Sequence, residues 1–287
     1  MPTRSSRNDA DTTSLSPNIP DFICVYKDSS TIDFIDLKRY LENQIGGAVR
    51  IELRRSFISH HLGSDKDIDS IAEKLVNTKV FDVSDPEKIY DPFPVEIDHE
   101  KDLIFNPKKK VFGMLYNGFR LQKLLRELLP TAESSFKYLH VAFTSRPIAT
   151  WDFGDGRYHA RTSVYGFPSI ISSSGIVEAP AKPREYYIIR KALVASGLAR
   201  ELVEEELKSK LKGRFIDYND ERMTDIVKGY ILQAFFYHTT YEPFCDDTNC
   251  RLFNAHWQED MIRAQLKGND LCERHEGILE KITLKQK

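Results

Sequence analysis

Residues 221–275, ERMTDIVKGYILQAFFYHTTYEPFCDDTNCRLFNAHWQEDMIRAQLKGNDLCERH, hold three of the four cysteines of this 287-residue chain behind one long apolar-faced helix. Cys245 and Cys250 stand four residues apart, a spacer follows, and Cys272 and His275 come two apart. Two close pairs of soft ligands joined by a spacer fit a closed tetrahedral site for Zn²⁺, one ion per chain. Four protein ligands leave no position for water, so the implied zinc is structural rather than catalytic. The spacer, about 254–267, reads as a helix with Trp257, Met261, Ile262 and Leu266 on its apolar side. Asn269-Asp270 supplies the turn that returns the chain. The competing readings are ordinary buried thiols and a Cys245–Cys250 disulfide, although so few cysteines do not make a secreted disulfide framework.

Working upstream, Met223, Ile226, Val227, Tyr230, Ile231, Ala234, His238 and Tyr241 recur at helical intervals as one apolar stripe ended by Pro243. His238 falls on the inward face, where a lone histidine is ordinarily a hydrogen-bonded core residue. Before it, Arg184 to Lys212 is helical with a break at Gly197. Phe136 to Phe143 reads as the central strand, with His140 a satisfied strand residue. Gly154-Asp155-Gly156 reads as a turn, and 158–165 and 169–177 as edge-type strands. Asn117 to Leu129 reads as a helix preceded by the basic run 108–110. Asp82 to Glu100, with Pro86, Pro92 and Pro94, reads as an acidic solvated connection, His99 included. Asp67 to Asn77 is helical.

The start, Phe22-ICVY, a helix over 31–44 and a strand over 48–54, makes a β-α-β unit with two parallel strands. Cys24 lies inside the first strand as core. The fold class expected is α/β (α+β): a mixed sheet with flanking helices, a long helix and a C-terminal zinc knuckle. The organisation expected is a disordered tail over 1–18, an α/β part over 19–220 and a helix-plus-knuckle part over 221–287.

Composition narrows function. Hydrophobic residues are 41%, charged residues 29% and the formal net charge is −2. That balance argues against a protein built to coat nucleic acid. No apolar run approaches the roughly 20 residues of a membrane span. The N-terminal stretch lacks the apolar core of a secretion signal, which suits a cytoplasmic protein with reduced thiols. The sequence names no partner; a protein or peptide is the candidate class, and neither membrane nor nucleic acid is expected.

A helix running into C-x4-C with a later paired set resembles the archaemetzincins, an archaeal branch of the metzincin metallopeptidases. Their pattern is H-E-x-x-H-x-x-G-x-x-H followed directly by C-x4-C-x-M and, after a spacer, C-x-x-C. The run Cys250 to Gln258 (C-R-L-F-N-A-H-W-Q) is also similar to that of a less characterised archaeal group of metallopeptidase homologues. Carried over position by position, the resemblance keeps Cys245, Cys250 and Cys272, with His275 in place of the last cysteine. It erases the catalytic set. The first metal ligand falls on Ala234, the general-base glutamate on Phe235, the second ligand on His238, the turn glycine on Tyr241, the third ligand on Phe244 and the methionine on Leu252. Zinc-activated water needs about three protein ligands, an open position and a base. The resemblance thus implies a catalytically inactive homologue, with His238 vestigial. Two alternatives stay open. One is a hydrolase rebuilt around His238 with His159, His256 or Glu242; His256 and Asp260, one helical turn apart, could share a metal. The other is an interaction module using Arg251, Trp257, Arg263, Lys267 and Arg274, cations countered locally by Asp246, Asp247, Glu259, Asp260, Asp270 and Glu273.

Overall fold

Apolar, β-branched residues at Phe22–Tyr26 form strand β1, and the chain returns through the helix Phe34–Ile45 to β2, Arg50–Arg54, parallel to β1. The Asp33 carboxylate caps that helix, accepting the Ile35 and Asp36 N–H groups at 2.9 and 3.0 Å. This is the β-α-β unit expected from the sequence. The computed structural model describes residues 18–284 apart from 29–30, 48, 64–67, 108, 110, 112 and 269. The expected tail lies outside the described residues except for Asn18, whose N–H meets the Thr239 carbonyl at 3.2 Å. Lys108 and Lys110 of the basic run, Asn269 of the spacer turn, and the expected element starts at Ala48 and Asp67 also lie outside them.

The remaining strands are β3 (Tyr116–Asn117), β4 (Tyr138–Thr144), β5 (Ile148–Asp152), β6 (Arg157–Arg161), β7 (Ser163–Val164) and β8 (Ser169–Ser172). They complete a mixed α/β fold. The main sheet has the order β2-β1-β4-β8-β7, parallel except for β7, which pairs antiparallel with β8 at the edge. A small sheet of order β3-β5-β6 stands beside it, and Thr162 carries the chain from β6 into β7. The expected second edge strand is corrected: β8 is interior and buried throughout, and the chain turns helical at Ser173–Glu178. The helices Phe57–His61, Ile68–Val76, Pro94–Phe105 and Gly118–Leu128 cover one face of the main sheet. The helix Phe34–Ile45 and the long helix Met223–Thr240 cover the other.

The acidic connection is also corrected. Pro94, pre-set for a first helical turn, starts a helix to Phe105, and Glu100 is fully buried in it. Arg146 and Tyr116 donate to its carboxylate at 2.9 and 2.6 Å, with the Lys79 Nζ at 3.3 Å. Burial alone would raise the Glu100 pKa, but these donors outweigh it and hold it below the ordinary value. His99 is exposed.

The long helix is buried nearly all round rather than along one stripe: Ile226, Val227, Leu232, Ala234, Phe235 and Phe236 have no exposed surface. It passes so close to the following segment that a Cβ on Gly229 would stand 1.9 Å from Gln265 Oε1. The spacer is helical only from Gln258, opening into a π turn over Arg263–Lys267. Residues 254–257 are instead non-helical, with Ala181 bridging to Trp257 through the His256 carbonyl and the Gln258 N–H. Trp257 is partly exposed while Met261 and Ile262 are buried. No helix among the described residues is long and apolar enough to cross a membrane.

Candidate metal centre and the neighbouring cleft

Tyr241 ends the long helix in the left-handed conformation, φ 62°, and turns the chain toward Cys245. The Cys245 N–H meets the Leu252 carbonyl at 2.9 Å, and the Cys250 N–H meets the Asp247 carbonyl at 3.1 Å. The loop closes on itself and turns both thiols inward. The second pair opens the helix Glu273–Leu284, with the His275 N–H on the Cys272 carbonyl at 2.9 Å. Two contacts clamp the halves together. The Arg251 guanidinium grips the Asp270 carboxylate, and a Cβ on Gly268 would lie 2.1 Å from the Asn249 carbonyl oxygen, which leaves room only for glycine.

These elements bring Cys245, Cys250, Cys272 and His275 together, one ligand atom of each within 4.8 Å of all the others. The Cys245 and Cys272 sulfurs are 3.7 Å apart, and His275 Nδ1 is 3.1 Å from Cys272 Sγ and 4.0 Å from Cys250 Sγ. The cysteines are free thiols, so the disulfide alternative is not realised. Burial raises the Cys245 thiol and pushes Cys250 up to about 12; burial and then Arg274 lower His275. Backbone N–H groups of Asp247 at Cys245, and of Leu252 and Cys272 at Cys250, point at the sulfurs. Such donors stabilise thiolates, yet three thiolates this close would repel without a cation. A divalent metal supplies that charge, so the donor set fits one.

A second group can be drawn around Cys24, Glu133 and His140. It lies on the opposite face of the sheet, and its carboxylate and imidazole atoms are already engaged. Arg54 donates to both Glu133 oxygens at 2.6 and 2.9 Å, to Glu52 at 2.8 Å and to the Tyr26 hydroxyl at 2.9 Å. Tyr26 also meets His140 Nδ1 and His61 Nε2, each at 2.9 Å, and His140 Nε2 meets the Glu133 carbonyl at 3.1 Å. Burial pushes Cys24 up to about 12 and lowers His140 and His61 to about 4. A third group, Asp152, Asp155 and His159, sits on the β5–β6 hairpin, with His159 Nε2 2.8 Å from Asp155.

His238 takes the place its sequence suggested for a core residue. Its Nε2 lies 2.8 Å from the Phe136 carbonyl, its ring packs edge-on to Phe136, and burial lowers its pKa. Among the described residues it joins no metal-capable group. Of its suggested co-ligands, His159 serves Asp155, and Glu242 accepts from Arg274 at 2.7 Å. His256 precedes the helix on which Asp260 sits, and Asp260 accepts from Arg263 at 2.8 Å. The geometry among the described residues therefore gives no support to a hydrolase rebuilt around His238.

A cleft of about 360 Å³ opens beside the long helix, on the face carrying Tyr230, Gln233 and Tyr237. β6 and β7 form one wall, and Phe244 and residues 253–256 form another. Tyr165 donates to Gln233 Oε1 at 2.5 Å across its floor. Among the described residues that line it there is one imidazole, His256, and no carboxylate. Sequence reasoning missed this face because it singled out 234, 235 and 238. Signals were present in the polar Gln233 within an apolar run and in the tyrosines three before and four after it.

The family described as a probable metallopeptidase family (DUF6775) matches residues 19–282 of the chain. No curated protein and no solved structure matches it.

Proposed function

The chain belongs to the DUF6775 family, and from that premise we propose an archaemetzincin-like metallopeptidase homologue without peptidase activity, held together by one structural zinc on Cys245, Cys250, Cys272 and His275. The observation that carries the reading is a contrast in donors. A complete sulfur–nitrogen set converges behind the long helix, while the cleft in front of it offers one imidazole and no carboxylate. Activation of water by zinc needs several ligands with an open position and a base to take the proton. Phe235 and Ala234, at the base and first-ligand positions of the resemblance, are fully buried hydrocarbon. Tyr241 supports the alignment itself: it occupies the turn-glycine position and adopts the left-handed conformation, φ 62°, that favours glycine.

With chemistry gone, the cleft serves binding, and a protein or peptide is the proposed occupant in a cytoplasmic setting. Nucleic acid is disfavoured because Arg251, Arg263 and Arg274 near the knuckle are each paired with a carboxylate. Purified protein is expected to carry one tightly held zinc per chain and to leave a broad peptide panel uncleaved, with or without added zinc. Two metals per chain, or cleavage that chelation abolishes, would overturn the reading.

A further inference from the structure

The cleft beside the long helix offers hydrogen-bond donors and, among the described residues that line it, no carboxylate. Its cation is Arg161, the last residue of β6. The register of the β5–β6 hairpin sets Arg161 opposite Ile148, so its side chain leaves the sheet on the same face as Thr150. There Arg161 Nε donates to Thr150 Oγ1 at 2.8 Å, and Thr150 is itself buried and part of the cleft lining. That bond fixes one edge of the guanidinium. Its two terminal nitrogens have no hydrogen bond or ion pair among the described residues. The carboxylate at the turn of the same hairpin, Asp155, is held by Arg157 and His159 instead. On the other wall, Asn254 and His256 also make no side-chain hydrogen bond among the described residues. The rest of the cleft is largely aromatic. Tyr165 packs against Tyr237 and Phe244, with ring centroids 6.2 and 5.9 Å apart. Phe119 and Phe244, both in the lining, are 58 and 42% exposed.

We infer that this cleft captures the C-terminus of a peptide, with Arg161 holding the terminal carboxylate and the aromatic rings enclosing an apolar last side chain. The inference rests on the reading of the cleft as a peptide site and specifies what that site recognises. An unpaired guanidinium anchored by a buried hydroxyl fits a carboxylate, whose two oxygens accept parallel N–H bonds from one arginine. No lining carboxylate among the described residues opposes that charge. A main-chain stretch passing through has no backbone charge to meet the cation, whereas a free chain end carries one. Exposed aromatic side chains beside the cation supply the apolar contact. The volume agrees: about 360 Å³ is at the small end of ligand pockets, roughly 300–1,000 Å³, which suits a chain end better than a long segment.

Isothermal titration of the full-length, metal-loaded chain with N-acetyl-Ala-Ala-X peptides tests this, X being Phe, Leu, Ser or Lys, each as free acid and as C-terminal amide. The Phe and Leu acids are expected to bind about tenfold or more tighter than their own amides and than the Ser and Lys acids. Arg161→Gln should abolish the preference for acid over amide with metal content and circular dichroism unchanged, and Arg161→Lys should keep part of it. Phe244→Ala should weaken acid and amide alike. Amides that bind as tightly as acids, an acid preference that survives Arg161→Gln, indifference to the last side chain, or no binding of any member at millimolar concentration would overturn the inference. Equal binding of acids and amides would still leave a peptide site, whereas cleavage of the peptides or a second metal would overturn the reading beneath it.

Discussion

Two sulfur- and imidazole-bearing groups lie on opposite sides of the main sheet, and inspection by residue type would rate both as metal sites. They differ in what already satisfies their donors. Around Cys24 and His140, the Arg54 guanidinium neutralises Glu133 and Glu52, and Tyr26 occupies His140 Nδ1. A cation there would have to displace one already present. Around Cys245, Cys250, Cys272 and His275 the ligand atoms face one another, with backbone N–H groups behind the sulfurs. The lesson is that proximity of ligand types identifies a cation site only where no side-chain cation has been built in.

The largest expected effect breaks the comparison at the knuckle. Cys250→Ala should empty the metal site and cost about 4 kcal/mol or more, because metal binding free energy is folding free energy in such sites. Cys24→Ala, read beside it, should leave metal content unchanged and cost only about 1–2 kcal/mol, as for a small buried side chain. Metal analysis and denaturant unfolding of the two variants give the contrast directly; equal metal loss in both would erase it.

A smaller effect sharpens the other side. Burial holds His140 and His61 near 4, below the ordinary 6.5, so the unfolded chain takes up protons first as the pH falls. The stability these neutral rings contribute is complete above about pH 6.5 and drains between there and about pH 4, with His140 accounting for up to about 3 kcal/mol. Thermal unfolding of wild type and His140→Gln across that window should show a steeper loss in the wild type. Parallel curves would mean that this imidazole does not carry the dependence.

Much of this layout was legible in the chain. The β-α-β start, the central strand, the broken helical pair around Gly197 and the paired ligands all follow from local spacing, which local structure obeys. The failures share a physical cause, dependence on distant partners. Glu100 reads as solvated because nothing near it in sequence announces Arg146, Tyr116 and Lys79, which make its burial affordable. The long helix reads as one-sided because apolar periodicity cannot report that Gly229 admits Gln265 against its back. Residues 254–257 read as helix because the bridge from Trp257 to Ala181 that takes the chain out of the helical pattern is non-local. The cleft escapes local pattern for the same reason: its walls come from several segments far apart in the chain, and only the long helix carries a sequence signal for it.

X-ray absorption at the metal edge of the purified chain tests the central claim most directly. The account predicts a single environment of three sulfurs and one nitrogen, unchanged by substitution of His238. A shell dominated by nitrogen and oxygen, or one that alters when His238 is replaced, would contradict it.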